Sequence, residues 1–206
     1  MTWNDIHLLD QHITLKINGW HSAFSDKVWA FFSDIPVWIP LYALIVAFII
    51  WRLGWKKGLI VVAAALATFG FCDQFSNLIK NIVCRVRPLN DEFMLANGLN
   101  VLEWGGGYSF FSAHAANVLG LATSTLVGLR EDKRMKYYGY AAFMFTWAVL
   151  VSVSRIFVGR HYFGDVLTGA VIGAAAGLAF GFIARLAIRR FLNKRTNPVN
   201  TVAQKS

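Results

Sequence analysis

Three short stretches, far apart along the chain, contain side chains of the kinds that bind and attack an anion. The first is Lys80 with Arg87-Pro88, the second is Phe111-Ser112-Ala113-His114, and the third is Ser154-Arg155 with His161 and Asp165. Together they supply three cations, two imidazoles and a carboxylate. These groups can hold a phosphate and displace its ester, because cations neutralise the oxygens while an imidazole attacks phosphorus.

Lys80 and Arg87 are nearly two helical turns apart, so they share a face if the helix before them continues outward. Pro88 disfavours helix at Arg87, and we expect the helix to end there with both side chains at its mouth. Arginine offers a planar fork for phosphate oxygens and lysine a point charge. Basic side chains can instead reach out to lipid headgroups. We expect this for Arg85, and it stays open for the other two.

The second stretch opens a predicted helix. Ser112 suits an N-cap, and the free N–H groups of a helix N-terminus form a seat for an anion. The small Ala113 lets a ligand approach that backbone, and His114 would stand beside it. Taken alone, an interfacial histidine is more often structural than catalytic.

In the third stretch, Asp165 follows His161 by four residues and can reach one imidazole nitrogen if the turn is helical. That contact fixes the tautomer and leaves the other nitrogen as a nucleophile. The alternative is a capping Asp165 and an Arg155 that reaches the headgroups.

A metal site is the rival chemistry, because His114, His161 and Asp165 could be three zinc ligands. The surrounding cations would repel a divalent metal, so the pattern favours an anion, and we expect no metal and no other cofactor. Of the acidic residues nearby, we expect those of the outer loop to shape the entrance, and Asp73, inside an apolar run, to be functional. The outer-loop residues are Asp91, Glu92 and Glu103.

The elements that must position these groups are apolar helices. The chain has 206 residues, of which 56% are hydrophobic and 15% charged, with a mean hydropathy of +0.48. We predict an all-α, polytopic membrane helix bundle forming one domain over residues 1–192, rather than a soluble core. The five predicted spans are Pro36–Trp51, Gly58–Ile79, Ser112–Leu129, Tyr137–Val158 and Asp165–Leu186. Glycines of the fifth, including Gly173 and Gly177, suit close packing inside the bundle.

Residues 1–34 form an amphipathic region rather than a span, broken at Asn18-Gly19. Its apolar positions recur every three or four residues, as in Ile6, Leu9 and Ile13. Two arrangements remain open, a helix in the headgroup layer and a helix packed over the bundle.

The net charge of +9 reflects asymmetry across a bilayer, not nucleic-acid binding. Most basic residues lie after spans one and three and in the C-terminal region, which the positive-inside rule assigns to the cytoplasm. We therefore predict a multi-pass inner-membrane protein with residues 193–206 as a cytoplasmic tail and the three stretches facing the periplasm or exterior.

The three stretches together resemble the motifs of the type 2 phosphatidic acid phosphatase superfamily, which includes bacterial lipid phosphatases, glucose-6-phosphatase and vanadium haloperoxidases. Its first motif, Lys, six residues, Arg-Pro, and its third, Ser-Arg, five residues, His, three residues, Asp, are matched in full. The second is usually Pro-Ser-Gly-His, from which Phe111 and Ala113 depart. The departure bears on the preferred substrate more than on activity.

The resemblance implies a two-step displacement without metal. His161 attacks phosphorus while Asp165 orients it, and His114 protonates the leaving oxygen and then activates water. The phosphate oxygens are held by Lys80, Arg87, Ser112, Ala113, Ser154 and Arg155.

Members of the membrane branch act on lipid phosphates or diphosphates at the outer leaflet. The predicted partners are a lipid-phosphate substrate and membrane lipids. Undecaprenyl diphosphate and lipid A phosphates are favoured over phosphatidylglycerophosphate or phosphatidate because of the predicted sidedness. The alternatives are an anion or lipid transporter that does not hydrolyse its ligand, and haloperoxidase chemistry with bound vanadate.

Overall fold

The computed structural model describes residues 2–193, and these are helical without strands. The α-helices in this range are α1 Trp3–Asn18, α2 Ala23–Ser33, α3 Ile39–Leu53, α4 Trp55–Val83, α5 Glu92–Ala96, α6 Ala113–Leu129, α7 Tyr138–Phe157 and α8 Phe163–Ala187. A 3-10 turn at Pro36–Trp38 precedes α3, another spans Pro88–Asn90, and a π-helical segment, Ile188–Asn193, follows α8. The predicted tail lies outside the described residues, apart from Asn193.

Four helical stretches, those containing α3, α4, α7 and α8, are long and apolar enough to cross a membrane. The remaining predicted span, α6, is a shorter apolar helix of 17 residues and lies mostly buried among the others. The predicted all-helical membrane bundle is therefore confirmed, with four of the five predicted spans long enough to cross a membrane by themselves. Because α6 faces protein on most sides, the helix that carries His114 has little contact with lipid.

The end of α4 differs from the sequence prediction. The helix stops at Val83, four residues before Arg87, because Cys84 adopts a left-handed conformation with φ of 51°. The N–H of Cys84 still donates to the carbonyl of Lys80. The expectation that Lys80 and Arg87 share a face of one helix is therefore wrong: Lys80 lies in the last turn of α4, and Arg87 lies on the extended segment after it.

The close contact between α6 and α8 depends on glycines. Every fourth residue of α8 facing α6 is a glycine, and a Cβ on Gly173 would collide with the backbone of Ala116. A Cβ on Gly177 would lie 2.5 Å from the carbonyl oxygen of Gly120. This confirms the predicted internal packing of the glycine face. The close packing also brings together the N-termini of α6 and α8, where the N–H of Ser112 donates to the carbonyl of Asp165 at 3.0 Å.

The N-terminal region is two helices with a break after Asn18, as predicted. Helix α1 packs on α7 and α8 through a polar face, on which Gln11, Thr14 and Asn18 are buried. Its apolar side chains, among them Ile6 and Leu9, are about half exposed. Packing over the bundle is thus the arrangement observed, with Leu15 and Ile17 packed against buried residues and the apolar side chains of the first two turns exposed.

Contacts between loops define the end of the bundle opposite to α1. Arg52 at the end of α3 pairs with Asp132 after α6 at 2.7 Å. Arg185 at the end of α8 pairs with Glu131 at 2.8 Å. The loops after α3 and α6 and the end of α8 therefore meet, so the basic residues they carry lie on one side of the bundle.

Candidate active site

The N-terminus of α6 is built as the sequence predicted. Ser112 is the N-cap, and its hydroxyl accepts from the N–H of Ala115 at 3.4 Å. His114 follows in the first turn, half-buried, and its side chain lines a cavity. A helix N-terminus with its dipole therefore points to the place where a bound anion would sit.

This cavity, of about 520 Å³, brings together side chains from all three motifs. Six of the nine predicted site residues line it, namely Lys80, Arg87, Ala113, His114, Arg155 and His161. Cations and imidazoles line one end, and mostly apolar side chains of α3, α4 and α6 line the rest. The two histidines thus face one common space, although they lie 47 residues apart in the sequence.

His161 lies in the turn between α7 and α8, and only 2% of it is exposed. Its Nδ1 is 3.5 Å from Oδ2 of Asp165, longer than a formed hydrogen bond. Burial lowers the pKa of His161 to about 4, although the adjacent carboxylate acts in the opposite direction. The imidazole is therefore neutral at physiological pH, the state in which a ring nitrogen can act as a nucleophile.

Asp165 is fully buried in the first turn of α8 and does not itself line the cavity. Its Oδ2 accepts from the N–H of Tyr162 at 3.0 Å and from the hydroxyl of Ser109. Its Oδ1 accepts from Arg85 at 2.7 Å. A carboxylate held by three donors is fixed in orientation, and one of its oxygens faces His161.

The expectation that Arg85 merely reaches the headgroups is wrong. Its guanidinium bridges Asp165 and Asp10, both at 2.7 Å, and lies 3.8 Å from the centre of the Tyr162 ring. No sequence signal pointed to this role, because Arg85 occupies a variable position inside the first motif and its partner Asp10 is 75 residues away.

Arg155 is 3% exposed and is held by two groups. Its Nη1 donates to Oε2 of Glu103 at 3.2 Å and to the hydroxyl of Ser33. Glu103, expected only to shape the entrance, is therefore the ion-pair partner of a predicted phosphate ligand. Ser33, from α2, was not anticipated.

The glycine-rich segment before α6 contacts two further cations. Arg87 donates from Nε to the carbonyl of Gly107 at 3.2 Å. Arg160 donates to the carbonyl of Trp104 at 2.8 Å, and its side chain lines the cavity. Arg160 was missed as a site residue because it lies at a variable position of the third motif. The only signal of Arg160 in the sequence is its positive charge on the non-cytoplasmic side, where few basic residues are predicted.

The hydroxyls of the two predicted serine ligands point elsewhere. Ser154 is fully buried in α7, and its hydroxyl donates to the carbonyl of Val151 at 2.7 Å. Ser112 is equally buried, and its hydroxyl caps α6. Neither residue lines the cavity, and phosphate binding by Ser112 and Ser154 stays a prediction.

Several buried polar atoms around the cavity have no partner within the part of the chain that the structure describes. They are Nε of Arg155, Nε of Arg160 and Oδ1 of Asn117. Buried polar groups are nearly always hydrogen-bonded. Their concentration at one end of a cavity indicates that this end takes a polar ligand. Asn117 lies about one helical turn after His114 and was also missed.

The rival zinc site does not form from the predicted ligands. Within residues 2–193, no three His, Cys, Asp or Glu side chains are grouped so that they could hold a metal ion. Asp73 does line the cavity, half-buried, with its carboxylate 3.5 Å from the amide of Asn77. It forms no ion pair with Lys80 among the described residues.

Comparison with known proteins agrees with the geometry. The sequence profile of the PAP2 superfamily matches residues 58–186, the segment from the start of α4 to the end of α8. The chain belongs to this superfamily. All three predicted motifs lie inside the matched segment, and the predicted membership is confirmed.

Two curated relatives of this PAP2 protein are lipid A 4'-phosphatases. The one from Bacteroides thetaiotaomicron is 36% identical over 179 residues, covering 85% of this chain and 77% of the relative. The one from Porphyromonas gingivalis is 27% identical, covering 82% and 70%. An undecaprenyl-diphosphatase from Sulfolobus acidocaldarius is 30% identical, covering 67% and 59%.

Two solved PAP2-type structures share the fold. A transmembrane phosphatidylglycerolphosphate phosphatase from Bacillus subtilis superimposes with a TM-score of 0.67 at 21% identity, covering 91% of this chain and 88% of the other. LpxE from Aquifex aeolicus gives 0.60 at 21% identity, covering 82% and 92%. The predicted membrane phosphatase acting on lipid phosphates is thus confirmed at the level of the enzyme class.

Proposed function

We propose that this PAP2 protein hydrolyses a phosphomonoester of a lipid A-type glycolipid at the outer face of the inner membrane, through a phosphohistidine on His161. The observation that carries the proposal is the cavity with two ends. Two imidazoles and several cations line one end, and apolar side chains of membrane helices line the other. A phosphate and its lipid can thus be bound in one continuous space.

In the first step, the ring nitrogen of His161 that faces away from Asp165 attacks phosphorus, and His114 gives a proton to the departing sugar oxygen. In the second step, His114 takes a proton from water, which attacks the phosphohistidine and releases inorganic phosphate. Asp165 stabilises the positive charge that develops on His161. Its fixed position behind the ring supports this role.

The cations act on the charge of the phosphoryl group. Lys80, Arg87 and Arg155 would bind the non-bridging oxygens. Arg160 lines the same cavity and would add a fourth positive charge. The backbone N–H groups at the start of α6, including that of Ala113, add the dipole of the helix. Preorganised donors of this kind stabilise the transition state without reorganisation.

The apolar end fits a lipid chain that enters from the side. Val46 of α3 and Leu66 and Phe69 of α4 line the cavity and are also exposed on the surface of the bundle, at 37%, 67% and 55%. The cavity therefore reaches the surface that faces the membrane. A substrate could keep its acyl chains in the bilayer while its phosphate reaches His161.

Lipid A phosphate is preferred as substrate because two curated relatives, each aligned over more than 80% of this chain, are lipid A 4'-phosphatases. Undecaprenyl diphosphate is the second candidate, on the shorter alignment to a diphosphatase. The proposed placement of the cavity outside the cytoplasm follows from the basic loops collected at the opposite end of the bundle.

The test measures phosphate release by the purified full-length protein from lipid A, undecaprenyl diphosphate, phosphatidate and phosphatidylglycerophosphate. We expect lipid A to be the best substrate and His161→Ala to be inactive, while His12→Ala, at an exposed histidine of α1, retains activity. Faster release from the diphosphate would favour the second candidate. Lipid binding without any phosphate release would favour the transporter. A C-terminal green fluorescent protein fusion tests the orientation, because it fluoresces only in the cytoplasm.

A further inference from the structure

The polar face of α1 packs on the turn that carries His161. The side-chain amide of Asn18 donates to the carbonyls of Ile156 and Phe157 at 3.0 and 3.1 Å, at the end of α7. The hydroxyl of Thr14 accepts from the N–H of Phe163 at 3.0 Å, at the start of α8. Helix α1 thus satisfies backbone groups on both sides of the turn, groups that a helix end leaves free.

Asp10 extends this contact to the catalytic carboxylate. Its Oδ1 accepts from the N–H of Gly164 at 2.7 Å, and its Oδ2 accepts from Arg85 at 2.7 Å. A Cβ at position 164 would lie 2.8 Å from Oδ2 of Asp10, so a larger residue there would have to displace this carboxylate. The second guanidinium nitrogen of Arg85 donates to Asp165. The order of contacts is therefore Asp10, Arg85, Asp165 and His161.

Arg85 is fixed from several directions. Its guanidinium stacks on the ring of Tyr162, and the Tyr162 hydroxyl donates to Asp91 at 2.6 Å. The backbone carbonyl of Arg85 accepts from the N–H of Ser109, whose hydroxyl in turn contacts Asp165. Arg85 does not line the cavity, so it has no direct route to the substrate.

We propose that Asp10 and Arg85 are positioning residues: α1, through this pair, holds the Asp165 carboxylate against His161. This inference rests on the proposed role of His161 as nucleophile. It gives a role to the polar side chains that α1 turns toward the bundle, because the helix contributes its charge and its capping groups to the active site.

Asp10 and Thr14 both contact the start of α8, but of the two only Asp10 also contacts Arg85, so substitutions at the two positions should have different effects. In the Asp10→Asn variant, the new amide oxygen could still accept from Gly164 but would no longer neutralise Arg85. Thr14→Val removes a docking contact of α1 without touching Arg85. If α1 matters only as packing, both substitutions should have the same effect.

The experiment measures kcat, KM and thermal unfolding of the full-length protein on its best lipid phosphate. We expect Arg85→Gln to lower kcat roughly 10- to 100-fold and Asp10→Asn roughly 3- to 10-fold, with KM nearly unchanged. Arg85→Lys should restore only part of the activity, because an ammonium cannot span both carboxylates as the guanidinium fork does. Asp10→Asn should have little further effect in the Arg85→Gln background.

A control variant distinguishes an effect on the position of Asp165 from a general loss of stability. Arg52→Gln breaks an ion pair of the same 2.7 Å length at the opposite end of the bundle and should lower stability without changing kcat. The inference is overturned if Thr14→Val matches Asp10→Asn, if Asp10→Asn and Arg85→Gln are additive, or if Arg85→Gln retains full kcat. Activity that survives His161→Ala would instead overturn the proposed function, so the two failures are distinguishable.

Discussion

Replacing Asp165 by asparagine tests the chemistry of the site most directly. Attack by His161 on phosphorus places positive charge on its ring, and Asp165 lies 3.5 Å from the nitrogen on the far side. At an effective dielectric constant of about 20, two unit charges at this distance attract each other by roughly 5 kcal/mol. Losing this attraction in the transition state corresponds to a fall in kcat of roughly 3000- to 5000-fold.

The assay is the initial rate of phosphate release from lipid micelles, with KM determined separately. Because Asp165 does not line the cavity, KM should change little, and the variant should still bind a non-hydrolysable phosphonate analogue. Asp132→Asn is the matched control: Asp132 is also buried and paired with an arginine at 2.7 Å, but at the other end of the bundle. It should lose stability and keep kcat.

Two results would refute this reasoning. If Asp165→Asn kept more than about a tenth of the wild-type kcat, the carboxylate could not supply several kcal/mol of charge stabilisation in the transition state. If Asp132→Asn lost as much kcat as Asp165→Asn in protein shown to be folded, the effect would belong to the loss of a buried ion pair in general. The position behind His161 would then have no special importance.

Histidine reactivity, helix packing and inhibition provide three more tests. The pKa of His161 near 4 implies that the rate of its modification by diethyl pyrocarbonate, measured by mass spectrometry, changes little between about pH 7.5 and 5. Over the same range the neutral fraction of an ordinary histidine falls about 30-fold. A fall of that size in the modification rate of His161 would contradict the argument from burial. Gly173→Val should destabilise the protein by about 1–3 kcal/mol by separating α8 from α6, while Gly70→Val, at an open position of α4, should not; equal unfolding temperatures for the two variants would disprove this. Phosphate release should persist in a chelator and stop with vanadate, and inhibition by the chelator would point to a metal site instead.

The sequence alone predicted the parts of the site that depend on local pattern. The N-cap at Ser112 follows from spacing, since it is formed within one turn of helix. Asp165 lies close to His161, as their spacing suggested, although the turn between them is not helical because α8 begins only at Phe163. The glycine face of α8 could also be read as a packing surface, because small residues at every fourth position have few other uses in a buried helix.

The parts that could not be predicted depend on contacts between distant segments. Arg85 meets Asp10 across 75 residues, and Arg155 meets Glu103 across 52. The end of α4 depends on the left-handed conformation of Cys84, which nothing in the residue type indicates. A motif defined by spacing also hides variable positions such as Arg160, whose side chain nevertheless reaches the cavity.

His114 lies in the first turn of α6 and His161 lies in the turn just before α8, and these two helices run side by side, which has a consequence for how the site is maintained. His114 is fixed by the position of α6, while His161 is fixed by the turn before α8, so their separation depends on the distance between the two helices. The glycines set that distance along the helix pair, and the hydrogen bond from Ser112 to the carbonyl of Asp165 sets it at the end where the chemistry occurs. Helix α1 then fixes the turn from the outside. The geometry of the site is therefore determined by helix contacts that never touch the substrate, and substitutions at those contacts should change kcat before they change KM.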